Sequence, residues 1–378
     1  MSGLYARWID RWERKLARRD TNRLVRPFEW GLDWLGITAA NGDALSAVRR
    51  WADQALADSE RFFSYQGPAD YRLQGSHLRF TSALRSPYPE NNTVHADFFP
   101  CQRSGDRAVL VLPQWNADIH GHAGLCRLLN RFGLSALRRS MAYHDRRMPA
   151  GLERADYHIS SNVGRTIHAS RQSVIDARCC LDWLEARGYR RLAILGTSLG
   201  SCIAFITAAH DARVRAAVLN HVSMYFSDVV WTGLSTQHVR RGLEGSITRD
   251  DLRSCWRVIS PAAHLERVRG RDIRSLLIWA RHDTTFLPEF SRQVVEWFAT
   301  SGRGTLFSWV EFHHAYWDCV KPGLPYNVAM VKLEEGPILI SNLVDEDLGA
   351  LKLGIAVEAV FEAIPGGMFI PKFKLCAQ

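Results

Sequence analysis

A serine flanked by glycines, Gly196-Thr197-Ser198-Leu199-Gly200, stands where a tight turn would join a strand to a helix. The apolar run 191–195 before it predicts a buried strand, and 201–209 after it predicts a buried helix. Such a turn holds the serine hydroxyl at the end of a parallel sheet, beside a helix N-terminus that stabilises negative charge. A side chain at 196 or 200 would clash with the crowded turn, which is why glycine is needed there. The serine becomes a nucleophile only with a base to take its proton and an acid to orient that base. Asp283, just beyond a predicted strand at 274–280, is the candidate acid. The candidate base lies after the predicted strand 306–312, in Phe312-His313-His314-Ala315: His314 is preferred and His313 is the alternative. It would remove the serine proton and later protonate the leaving group. An oxyanion would be met by the backbone N–H of Leu199 and by a second N–H, of Gln114 or Trp115, in the loop after the predicted strand 108–112.

The elements that must position these groups alternate. Strands are predicted at 94–99, 108–112, 135–141, 192–195, 216–219, 274–280 and 306–312, with helices at 166–187, 201–209 and 288–299 between them. That order predicts an α/β fold, a mostly parallel sheet with helices on both faces. Residues 1–90 read as a helical region packing on a core at 91–320. Within the core, 223–264 is irregular and carries Tyr225, Phe226, Trp231, Leu234 and Trp256. An insertion there would cap the site and favour an apolar acyl or aryl group; the alternative is that these aromatics are core. His120 and His122 have no carboxylate or cysteine at ligand spacing, so they predict a lining or structural role, with no metal and no cofactor.

The chain has 378 residues, 47% hydrophobic and 23% charged, which fits one large domain and a small one. No apolar run is long enough for a membrane-spanning helix, and the charged N-terminus lacks a signal-peptide core, so a cytoplasmic protein is expected. Eight cysteines form no Cys-x-x-Cys pair, which argues against a zinc ribbon and a disulfide scaffold. The net charge of +9 is scattered rather than clustered, which argues against nucleic acid as a partner. The densest basic stretch (Arg7, Arg11, Arg14, Lys15, Arg18, Arg19, interleaved with Trp8, Trp12 and Leu16) predicts an amphipathic helix. Its two readings are packing on the body with a solvated basic face and contact with an anionic membrane surface.

Composition also marks a seam. The last of 42 arginines is Arg303 and the last of 13 tryptophans is Trp317, whereas five of the six lysines lie at Lys321 or beyond. The break predicts two segments of different origin, joined near Lys321-Pro322-Gly323-Leu324-Pro325, with a β-rich tail at 324–378.

Residues 7–312 resemble a bacterial family of uncharacterised α/β-hydrolases, through Phe28-Glu29-Trp30-Gly31, Ser160-Ser161-Asn162-Val163-Gly164-Arg165-Thr166, the Ser198 pentapeptide, Val229-Val230-Trp231-Thr232-Gly233-Leu234 and the Asp283 segment. The resemblance implies the α/β-hydrolase fold and a Ser198–Asp283–histidine triad. The chain departs from the family at its histidine turn, where Phe312-His313-His314-Ala315 replaces a Cys-Gly-His-Tyr-like sequence. Residues 324–376 resemble the OB-fold half of acyl-CoA-associated zinc-ribbon/OB proteins, without the ribbon. From Lys321 on there are five lysines against seven acidic residues, so the nucleic-acid binding of other OB folds is not expected here. These readings give a serine hydrolase acting on a small carboxylic ester or thioester. The close variant is an acyl-CoA thioesterase or acyltransferase. The alternative from another class is a non-catalytic fusion whose tail docks an acyl-CoA or thiolase-like enzyme.

Overall fold

The computed structural model describes residues 9, 11–15, 20–39, 42–268, 271–298, 303–314, 325–334, 338–344, 351–364 and 368–376. They divide into two compact units whose boundary along the chain lies near residue 295, with the short stretch Arg274–Leu276 grouped with the second. The first unit is built on an eight-stranded sheet. Its strands are β1 (Arg72–Gln74), β2 (His77–Thr81), β3 (Thr93–Phe99), β4 (Arg107–Leu112), β5 (Ser135–Arg139), β6 (Arg191–Thr197), β7 (Val214–Asn220) and β8 (Arg274–Ile278). Their order is β1-β2-β3-β5-β4-β6-β7-β8. β1, β2 and β3 form an antiparallel edge, and β5, β4, β6 and β7 run parallel. Parallel strands need crossover connections, and helices such as Val163–Ala186 and Leu199–His210 supply them. This is the α/β-hydrolase arrangement, as the alternating pattern predicted.

The region at 1–90 is helical only in part. Helices form at Leu32–Leu35, Ala44–Ala57 and Ser59–Phe62, but 72–81 is the β1–β2 hairpin. Gly75 turns it with φ of 59°. The basic N-terminal stretch is helical at 11–15 and lies partly outside the described residues. The segment that follows is tied down by two of the motifs noted above. Glu29 N–H donates to Ser161 O (3.1 Å), while Val163 and Gly164 N–H donate to Glu29 O (2.9 Å) and Trp30 O (3.0 Å). A Cβ on Gly164 would come within 2.0 Å of Gly31 O, so only glycine lets these backbones meet. Asn162 caps the long helix by accepting from Arg165 N–H (2.8 Å).

The second unit corrects the sequence reading. β9 (Arg303–Phe312), β10 (Tyr326–Leu333), β11 (Ile338–Ser341), β12 (Ala356–Ile364) and β13 (Met368–Leu375) form an antiparallel sheet of order β11-β10-β9-β12-β13. The strand expected to close the parallel sheet is thus at the centre of a different one, and the expected boundary near 320 moves upstream to about 295. Leu306 of β9 is buried with Ala329, Val331, Leu333, Leu343, Leu351, Val357 and Phe373 in the core of this sheet. An apolar run specifies that a strand is buried but not which neighbour it pairs with.

The first unit buries many histidines. Burial pushes His168 down to about 4 and His144 and His210 down to about 3, and holds His158 well below its ordinary value. They are neutral in the fold but titrate at about 6.5 in the unfolded chain. Between those values the unfolded chain binds more protons. Stability is therefore full above about pH 6.5 and falls as the pH drops through the window. From pH 7.5 to 5.5 these four groups are expected to remove roughly 5 kcal/mol, at about 1.4 kcal/mol per group over the unit below pH 6.5. Denaturant midpoints at the two pH values measure it, and equal midpoints would contradict neutral burial.

Candidate active site

Ser198 follows β6 with φ 56° and ψ −120°, a conformation few non-glycine residues adopt. Its neighbours must be small. A Cβ at Gly196 would come within 2.2 Å of Gly200 O, and one at Gly200 within 2.3 Å of Leu112 O and 2.6 Å of Pro113 O. Bare backbone at 200 lets the helix Leu199–His210 lie against the end of β4. That brings the N–H of Leu199 to the loop that carries Gln114 and Trp115. All three residues line one cavity of about 340 Å³ with Ser198, His221 and Asp283.

Asp283 is held firmly. Its Oδ1 accepts from the N–H groups of Thr285 (2.7 Å) and Phe286 (2.8 Å). Its Oδ2 lies 2.5 Å from Nδ1 of His221. His221 is the first residue after β7 and has φ 61°. Strand register makes it the neighbour of the serine: Thr197 pairs with Asn220, and Ser198 N–H donates to Asn220 O (2.8 Å). The Ser201 hydroxyl reaches both Ser198 O (2.6 Å) and His221 O (2.7 Å), and His221 N–H donates to Ile278 O (2.8 Å). Two left-handed residues are thus pinned side by side at adjacent strand ends. Strain of this kind is stored where surrounding bonds over-determine the backbone. An imidazole with Nδ1 on a carboxylate keeps its basic lone pair on Nε2.

His314 and His313 are placed otherwise than expected. Both are exposed at the end of β9, in the antiparallel sheet, and His313 Nε2 lies 3.7 Å from Glu311 Oε2. Their assignment presupposed that 306–312 closes the parallel sheet, and that premise fails. His221 was missed because a triad histidine was sought after the acid in the chain. The available signal was its position, directly beyond a parallel strand next to the serine strand.

The rest of the rim is as follows. Trp115 donates its indole N–H to Ala155 O (3.0 Å) and stacks on His238 at 5.6 Å. Arg138 holds the 118–121 loop by donating to Gly121 O (3.0 Å) and to Asp118 O. That loop leads to His122, whose Nε2 is 2.9 Å from Thr197 Oγ1, and burial pushes the His122 pKa down. His122 is thus a neighbour of the serine turn. Among the described residues no group of His, Cys, Asp and Glu could hold a metal ion. From 223–264, Phe226, Val229, Val230, Ser235 and Thr236 line the cavity. Of the aromatics named there, Phe226 lines the cavity, while Trp256 is fully buried and donates to Val163 O (3.2 Å). Arg14 of the N-terminal helical stretch lines a second cavity together with Asp283, and burial first, then the charge of Asp283, raises the pKa of the adjacent Glu13. Among the described residues, no helix is long and apolar enough to cross a membrane.

Residues 297–362 match the C-terminal OB-fold domain of ChsH2. The OB-fold domain therefore begins before β9 and takes in His313 and His314. No curated protein matches the chain. Among solved structures, an Ltp2-ChsH2(DUF35) aldolase is 28% identical over 20% of this chain, with a TM-score of 0.18; the chain covers 57% of its length. Acetyl xylan esterase 1 from Thermoanaerobacterium sp. is 14% identical over 71% of this chain and 88% of its own, with a TM-score of 0.48. The Pyrococcus horikoshii acylaminoacyl peptidase is 12% identical over 64% of this chain and 36% of its own, with a TM-score of 0.46. The fold assignment rests on strand order, parallel register and the strained serine turn. The OB-fold domain stands on its own sheet and core.

Proposed function

We propose that the protein is a serine hydrolase of carboxylic esters or thioesters, with Ser198 as nucleophile, His221 as base and Asp283 as the carboxylate that orients it. The observation that carries this is the 2.5 Å contact of His221 Nδ1 with Asp283, in the cavity that also exposes Ser198. Ser198 Oγ attacks the carbonyl carbon as its proton passes to His221 Nε2. The oxyanion is met by the N–H of Leu199 and that of Gln114 or Trp115. The imidazolium then protonates the departing alkoxide or thiolate. Water, deprotonated by the same imidazole, releases the acid and restores the serine. A fluorophosphonate probe with mass spectrometry tests this. An adduct on Ser198 is expected, and a folded protein that takes none would remove the assignment.

The OB-fold match supports a second element, docking of the 295–376 unit on an acyl-CoA-related enzyme. A thioester would then be the substrate to screen beside oxygen esters.

A further inference from the structure

We propose that the Ser198 cavity selects substrates bearing one carboxylate, seated on the guanidinium groups of Arg154 and Arg23; this rests on the hydrolase reading above and adds the substrate class. One part of the cavity wall is apolar, formed by Ile159, Phe226, Val229 and Val230. Another part is formed by Asp20, Arg23 and Arg154. Arg154 is 6% exposed. Its Nη1 donates to Asp20 Oδ2 (2.8 Å) and Asn22 Oδ1 (3.2 Å), but its buried Nε has no hydrogen-bond partner; Asp156 Oδ1 stands 3.6 Å away. Arg23 repeats the pattern: its Nη2 lies 3.5 Å from the same Asp20 oxygen, and its Nε is buried without a partner.

Charges in the cluster do not cancel. Among the described residues, Arg23, Arg26 and Arg154 pair with Asp20 and Asp156, with Arg26 Nε 3.5 Å from Asp156 Oδ2. His238, 3.8 Å from Asp156, adds no negative charge, and neither of its ring nitrogens has a hydrogen-bond partner. Among these described ion pairs three guanidinium groups share two carboxylates. Burial pushes the Arg23 pKa down, Asp20 opposes it, and the charge of Arg154 adds to the lowering. Arg154 lies over the Trp115 ring at 5.3 Å. A buried guanidinium N–H without an acceptor is costly, and a carboxylate matches the planar fork in two parallel bonds. The apolar wall beside it suits a short methylene chain between that carboxylate and the reacting carbonyl.

Calorimetry on Ser198→Ala protein reads the site without turnover, using monomethyl glutarate and its neutral counterpart dimethyl glutarate. The monoanion is expected to bind about 10-fold or more tighter, and the preference to vanish in the added Arg154→Gln background. Arg154 is buried, so Arg23→Gln serves as the second variant, with an expected drop in preference of about 3-fold or more. Equal binding of the two compounds, or a preference that survives both substitutions, would overturn the proposal. The fluorophosphonate experiment on the unaltered chain fails separately. No adduct with the preference intact removes the hydrolase reading alone, while an adduct with no preference removes only the carboxylate site.

Discussion

Ser198→Ala is expected to lower kcat for ester hydrolysis roughly 10⁴- to 10⁶-fold, because nucleophile and base act as one unit and the loss of either removes the acyl-enzyme route. The fold is expected to remain. Alanine keeps the Cβ that already tolerates φ 56°, and the turn is held by Ser198 N–H to Asn220 O (2.8 Å) and by Gly196 and Gly200, none of which needs the hydroxyl. Steady-state kinetics on a 4-nitrophenyl ester with a thermal melt of the same sample separates the two effects. Full activity in a folded variant would exclude Ser198 as nucleophile.

His221→Ala is expected to cost about as much, roughly 10⁴-fold or more in kcat, whereas His314→Ala and His313→Ala stay within about 2-fold of the parent. The reason is positional. His221 Nδ1 lies 2.5 Å from the Asp283 carboxylate and the residue adjoins the serine across two paired strand ends, while His313 and His314 are exposed beyond β9. Measuring the three variants together decides the base. A large loss in His314→Ala with His221→Ala active would restore the order serine, acid, histidine that the chain suggests.

Several features of the site could be read directly. The strand before Ser198, the helix after it, the acid loop at 283 and the parallel core all follow from local pattern: short apolar runs, two glycines at a crowded turn, and alternation of strand with helix. The structure brings Ser198, Asp283, Leu199, Gln114 and Trp115 to one cavity. The compositional break was legible too, but it lies downstream of the structural one. Arginine and tryptophan run on to Arg303 and Trp317, past the start of the OB-fold match at 297.

What the chain alone determined, then, is the crowded serine turn, the position of the Asp283 loop after a strand and the kind of sheet that carries them, because each depends on contacts between residues close in sequence. Only the tertiary structure decided the rest. Which sheet received β9 is set by pairing with β10 and β12, whose burial of Leu306 no local pattern encodes. Which histidine met Asp283 is set by the register of β6 on β7, since one step of register moves a strand end and everything beyond it. Arg23 and Arg154, which line the cavity of Ser198 and share Asp20, come from segments more than a hundred residues apart, and only the fold brings them together.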